Sequence, residues 1–459
     1  MIQLLKIISE KRRIMFYYSN IVYIGGKKYT YSLDDDKNKL ILVPLSKPKN
    51  EFIISNELRG KWLYLKGDEL SNFSVLLGIG HVNRGNIVFD IKCLVKYIPE
   101  FNKKTNRPRT FKSIWFSSLA IDYFIGHKNG LLDKSIEILS DFKNDSDDNN
   151  KKLKQTRKHK FIYKGTEYKI YFMTIGRFEF EKRFPFNIFS TLNIETSKNI
   201  NLNDLYDLIN IVKLFLQFIS NRRFIDIDEI FLMKENGKFS FSGTVKLDDE
   251  SNLMEPSKWN IIPYELIKDN LSSLLQEIAN NNICFRSLFN FEKGKINTVD
   301  IMNICASFES QFDNTYPNFK NNNFKKVKKD IIKYITEMPN NYNEHELDEM
   351  SIIINGIKNY SDTLKSKLQF ALDEFVKIYE DGGGKVEFDF GKNYINMPDR
   401  FKNVRNALDH CNVKYQLSGQ NYFDVDLVRA IIYMMILKKI DMPNEKIKVC
   451  VRKIIKGYE

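Results

Sequence analysis

The residues best suited to chemistry lie in one short stretch, DRFKNVRNALDHCNVKY, residues 399–415. His410 follows Arg405 by five positions, and Asn406 stands directly after the arginine. Histidine titrates near neutral pH and passes protons as acid or base. A guanidinium holds two phosphate oxygens in a fixed fork and stabilises the extra charge of a pentacovalent transition state. Asn406 suits orienting either partner or a ribose. If a ribose 2′-OH attacks its own phosphate, the reaction needs no metal and leaves 2′,3′-cyclic phosphate and 5′-OH ends. The same spacing has an ordinary reading, in which Arg405 pairs with Asp409 at i, i+4 and His410 caps a helix end.

Such a group needs a scaffold. Pro398-Asp399 reads as a helix start, because an Asp side chain accepts from free N–H groups. Phe401, Val404 and Leu408 recur at helical spacing and form the face that packs inward. Arg405 and His410 sit about 140° apart on an ideal helix, so they converge only if the helix ends or loosens near His410. A second helix, TVDIMNICASFESQFDNTY (298–316), carries Met302, Cys305, Phe312 and Tyr316 along one stripe, with Glu309 among them. A carboxylate there is costly to bury unpaired. It either faces a basic site and positions Arg405 or His410, or makes a structural salt bridge. Lys325, Lys326, Lys328, Lys329 and Lys333 share a third helix and form either a track for an RNA backbone or a solvated face. Tyr415, just past the motif, suits stacking on a base or packing in the core.

The pattern along the chain predicts an α+β protein in two parts. Residues 1–290 read mainly as strands: the alternating NIVYIGGKKYTYSL around a Gly-Gly turn, then KLILVPLS, FSVLLGIG, GNIVFDIKCLV and the strand-like block SIWFSSLAIDYFIG (113–126). This front region is expected to be sandwich-like, with at least one helix over 202–219. Residues 142–160, FKNDSDDNNKKLKQTRKHK, are almost free of apolar side chains and read as a flexible polar insertion. Gly78, Gly80 and Gly85 read as turns. Residues 291–459 read as an all-α bundle, with amphipathic segments at 298–316, 324–338, 345–380, 399–411, 423–440 and 443–457.

Composition sets limits. Hydrophobic residues at 43% and charged residues at 28% place the chain outside the disordered class. The net charge of +13 suits phosphate-bearing partners, or else reflects a scatter of lysines without purpose. Five cysteines lie far apart without metal-ligand spacing, and the histidines have no partners at such spacing, so neither metal nor cofactor is expected. Scattered thiols suit a reducing cytoplasm. The first twenty residues lack the pattern of a secretory leader, and the longest apolar run, AIIYMMIL (430–437), is too short to span a bilayer.

An all-α region ending in VRNALDHC resembles the HEPN superfamily, whose ribonucleases carry an R-x4-6-H motif, often with Asn after the Arg. Arg405, Asn406 and His410 match that pattern in register. The helix NICASFESQFDNTY looks like the opening helix of the ApeA-type branch, and the front region is similar to the ApeA N-terminal region. The resemblance implies a metal-independent endoribonuclease of anti-phage defence, acting by abortive infection. His410 would be the general acid or base, Arg405 the phosphate contact, Asn406 the positioning residue and Glu309 an orienting group. It also implies a homodimer pairing two motifs, an RNA substrate such as tRNA, and a front region that senses a phage-derived trigger. A non-catalytic dimerisation or RNA-binding module, or the toxin of a toxin–antitoxin pair, are the alternatives.

Overall fold

The computed structural model describes residues 18–24, 26–34, 38–45, 51–66, 72–97, 111–126, 150–178, 186–234, 241–247, 260–285, 288, 298–319, 322–337, 343–359, 364–381, 385–409 and 418–456. The chain is mixed α+β, with a large antiparallel sheet in its N-terminal half and most helices in its C-terminal half. Two compact units divide it, Met1–Lys213 with Phe224–Glu255, and Leu214–Arg223 with Pro256–Glu459. The composition changes near 290–298, whereas the compact helical unit also takes in 256–290 and 214–223.

The first unit opens with β1 (Tyr18–Ile24), β2 (Lys27–Asp34) and β3 (Lys39–Pro44), followed by helix α1 (Glu51–Leu58). Next come β4 (Trp62–Lys66), β5 (Asn72–Asn83), β6 (Asn86–Tyr97), β7 (Phe111–Ser117) and helix α2 (Leu119–Ile125). β8 (Asn150–Gln155), β9 (His159–Tyr163), β10 (Thr166–Phe178) and β11 (Phe186–Ile200) lead to helix α3 (Leu202–Ser220), then β12 (Glu229–Met233) and β13 (Phe241–Leu247). All thirteen described strands join one hydrogen-bonded sheet with the path β1-β2-β3-β6-β13-β12-β7-β11-β10-β8; β5 bridges β4 to β6, and β9 pairs with β10. It is thus one continuous sheet, where a sandwich would have two. β6 makes this possible: its first half pairs with β3 and its second half with β13.

Alternation explains the strands. β2, KKYTYSLD, buries Tyr29, Tyr31 and Leu33 and leaves the residues between them wetter. With Leu40, Leu42, Phe73, Val75 and Phe89 they form one core, against which Ile54 and Leu58 of α1 pack.

Three expectations for this unit are corrected. The block 113–126 is not all strand: Ser118 stops β7, its Oγ accepting from the Ala120 N–H (3.2 Å) and donating to the Asp226 carbonyl (2.6 Å), and α2 begins. Within the segment 142–160, Asn150–Gln155 form β8, pairing with β10 at the sheet edge, and His159 opens β9; 142–149 lie outside the described residues. Lysines on an edge strand deter pairing with other chains, and they also hide the strand from an apolar-alternation reading. Gly78 and Gly80 lie inside β5 rather than in turns. A Cβ on Gly80 would sit 2.5 Å from the Phe89 ring, so the glycine admits a large core side chain.

The helical unit contains α4 (Tyr264–Ile267), α5 (Leu271–Ala279), α6 (Thr298–Thr315), α7 (Asn322–Thr336), α8 (Glu344–Asn359), α9 (Leu364–Asp381), α10 (Val386–Phe390), α11 (Met397–Asp409), α12 (Gly419–Lys439) and α13 (Asn444–Lys456). The expected segment 345–380 is two helices, α8 and α9. α12 is buried all round from Leu427 to Leu437 and packs against α6, α9, α10, α11 and α13, as expected of a central helix. The end of α3 belongs here because Tyr433 of α12 donates to the Phe218 carbonyl (3.1 Å) and to Asn221 Oδ1 (3.3 Å). Asn221 in turn donates to the Ile454 carbonyl (3.2 Å).

Tyr433→Phe removes both hydroxyl bonds from a buried site and is expected to cost about 1–2 kcal/mol, read as a lower urea midpoint; an unchanged midpoint would mean that the hydroxyl ties nothing. Burial pushes the Cys93 and Cys450 thiols up to about 12. Both should therefore resist iodoacetamide at pH 8 in the folded protein and react once it is unfolded, as peptide mass mapping would register.

Candidate functional site

α11 owes its position to its first two turns. Arg400 forms a fork on Asp424 of α12, with Nε and Nη2 at 2.9 and 2.6 Å from the two carboxylate oxygens, and Nη1 donates to the Asn393 carbonyl (2.8 Å). Asp424 is 1% exposed, and Gln420 Nε2 also donates to it (3.3 Å). Asp399 pairs with Lys365 of α9 at 2.6 Å. Phe401 and Val404 are buried as their spacing predicts, and Leu408 is half-buried.

Arg405 lies one position beyond Val404, at the margin of that apolar stripe. Its Nη2 stands 4.0 Å from Oε2 of Glu309 on α6, with the two side chains 35% and 32% exposed. At that distance the pair attracts without a hydrogen bond, and both groups keep a face to water. The buried stripe of α6 is Ile301, Ile304, Cys305, Phe308 and Phe312, while Met302 is only half-buried. Glu309 borders this stripe instead of lying within it, so it faces α11 without the cost of full burial. Asn406 is exposed on α11.

Arg405 and Glu309 are thus brought together, with Asn406 beside the arginine. His410 and Tyr415 lie outside the described residues, as does the side chain of Lys325. On α7, Lys326, Lys329 and Lys333 are exposed and Lys328 is half-buried. Among the described residues no group of three or more His, Cys, Asp or Glu is placed to hold a metal ion. No described helix is long and apolar enough to cross a membrane.

Two polar constellations escaped the sequence reading. One is Arg400–Asp424, whose signal was a carboxylate inside the apolar FDVDLVRAIIYMMIL. The other joins three helices or their ends. The Tyr316 hydroxyl donates to Glu374 of α9, Lys438 of α12 reaches both Glu374 oxygens (2.7 and 2.8 Å), and its ammonium lies 5.4 Å from the centre of the Tyr316 ring. Burial first, and the Glu374 carboxylate second, hold the Tyr316 hydroxyl protonated well above the usual tyrosine range. No family model, curated protein or solved structure matches the chain.

The two arginines of α11 should respond differently to removal. Arg400→Ala leaves Asp424 buried without its cation and is expected to cost about 3 kcal/mol. Arg405→Ala and Glu309→Ala should each cost under about 1 kcal/mol, with a coupling of similar or smaller size in a double-mutant cycle. Chemical denaturation of the four proteins provides the comparison.

Proposed function

We propose that the chain is a metal-independent endoribonuclease of the HEPN type, cutting RNA through 2′-OH attack at the end of α11. The observation that carries this reading is the pairing of Arg405 with Glu309. A guanidinium beside a carboxylate at 4.0 Å, and still 35% exposed, is oriented and remains accessible to a phosphate. Asn406, exposed on the same turn, would position the ribose or the phosphate, and His410, one residue past the described end of α11, would move the proton. The basic balance of +13 and the lysines of α7 favour approach by a polyanion such as tRNA.

The resemblance to ApeA-type proteins extends the proposal to anti-phage defence by abortive infection. The sheet unit would sense the phage-derived trigger, two copies would pair their motifs, and the cytoplasm would be the place of action. A second reading is a non-catalytic RNA-binding or dimerisation module, or a toxin silenced by an antitoxin, in which Arg405–Glu309 serves only to tie α11 to α6. The 35% exposure of Arg405 favours the catalytic reading, because it leaves the guanidinium within reach of a polyanion.

Purified protein incubated in EDTA with an RNA oligonucleotide, and with its 2′-deoxy counterpart, separates the two. The nuclease reading predicts cleavage of the ribose form alone, with cyclic phosphate ends. It also predicts a loss of about 10²–10⁴-fold on His410→Ala or Arg405→Ala at unchanged stability. Binding without cleavage, equal in wild type and His410→Ala, would support the module.

A further inference from the structure

The β9–β10 hairpin of the sheet carries a charge arrangement that packing does not explain. The two strands pair antiparallel, and His159, Phe161, Tyr168 and Ile170 are buried on one face of the pair. The other face carries cations. Lys160 stands directly opposite Lys169, and the ammonium of Lys158, just before β9, lies over the ring of Tyr171 at 5.1 Å. Residues directly opposite on antiparallel strands point to the same side, and like charges there repel.

The nearby carboxylates do not relieve Lys169. Glu195 of β11 is its direct neighbour on the other flank, yet Lys158 takes that carboxylate at 2.5 Å. Glu167 pairs with Lys160 at 3.3 Å, a contact so exposed that water and salt weaken it. Lys169 is half-buried, and among the described residues no carboxylate reaches ion-pairing distance of its ammonium. A cation partly withdrawn from water without a partner is costly, and a bound anion offsets that cost.

The same side of the sheet holds further unmatched groups. The row Lys160–Lys169–Glu195 ends on Ser113 of β7, and the next row runs Tyr171–Asn193–Trp115. Ser113 and Asn193 are 0% exposed, and Ser113 Oγ and Asn193 Oδ1 have no hydrogen-bond partner among the described residues. Buried polar atoms of this kind are rare. Their place beside an unmatched cation gives this face a polar bias that a purely structural surface lacks.

We infer that Lys158, Lys160 and Lys169 form a binding site for a compact polyphosphate, free or as the phosphate tail of a nucleotide, with Lys169 as its central cation. Neighbouring positions in the group are about 5–7 Å apart, a span that adjoining phosphates bridge. Ammonium groups bind phosphate as point charges. Two acids border the cations, Glu167 along β10 and Glu195 across on β11, and they disfavour a long polyanion more than a compact one. The site lies on the sheet unit and is independent of the Arg405 group, since its readout is binding rather than cleavage.

Titration calorimetry of the full chain in EDTA at constant ionic strength, with inorganic triphosphate and with ATP, tests the site. Both are expected to bind. Tighter binding of ATP assigns the site to a nucleotide, equal affinity assigns it to the phosphates alone, and either result upholds it. Lys169→Met should weaken both ligands by about tenfold or more. Lys198→Gln removes the same charge from an exposed position on β11 and should leave both within about threefold of the wild type.

Thermal unfolding adds a readout that a structural lysine would not give. With the repulsion from Lys160 gone, Lys169→Met should melt at or above the wild type in the absence of ligand. Triphosphate should raise the midpoint of the wild type and leave that of Lys169→Met in place. No binding at millimolar concentration overturns the proposal. So does a Lys169→Met variant that binds as the wild type does, or one that melts lower without ligand, which makes the lysine structural. A single-stranded RNA that depends on Lys169 and outcompetes both small ligands overturns the assignment to a compact one.

Discussion

The helical unit depends on one constraint: the carboxylate of Asp424 is buried in the central helix α12 and must have a cation. Arg400 supplies it through a two-pronged contact, with Gln420 on a remaining lone pair. A fork of this kind fixes direction as well as distance. It sets the start of α11 on α12, and Phe401 and Val404 then bury the next turn. Arg405 follows at the edge of that packed stripe, where Glu309 of α6 meets it. The geometry of the candidate site is in this sense inherited from a structural ion pair five residues upstream.

The contrast between the two arginines also bears on function. Arg400 is committed at all three of its guanidinium nitrogens. Arg405 has a carboxylate at the outer limit of ion pairing and a partly open face. Three other cations of the helical unit sit closer to their carboxylates, in Lys365–Asp399, Lys367–Asp313 and Lys438–Glu374 at 2.6–2.7 Å.

What the sequence made legible follows the same physics. Strands with one wet face, such as β2, showed their alternation, and helices with one apolar stripe showed their period. β8 did not, because a strand made of Asn, Lys, Leu and Gln carries no apolar alternation and shows itself only through its backbone pairing with β10. α2 hid behind the apolar run of β7, although Ser118 and Gly126, which bound it, were visible as cap residues. In the site, Arg405 and Asn406 were legible from spacing on one helix, and Glu309 from its place against an apolar stripe. Arg400–Asp424 and Tyr316–Glu374–Lys438 were not, because their partners come together only through tertiary packing across 24 and 58–64 positions of chain.

The central claim is that RNA is cut through its own 2′-OH by the group around Arg405. The most direct measurement is the chemistry of RNA 3′ ends in cells producing the wild type or His410→Ala, with and without an infecting phage. The account predicts new 2′,3′-cyclic phosphate ends in the wild type, absent in the variant, at positions that name the substrate. End profiles that match between the two proteins under both conditions would contradict it.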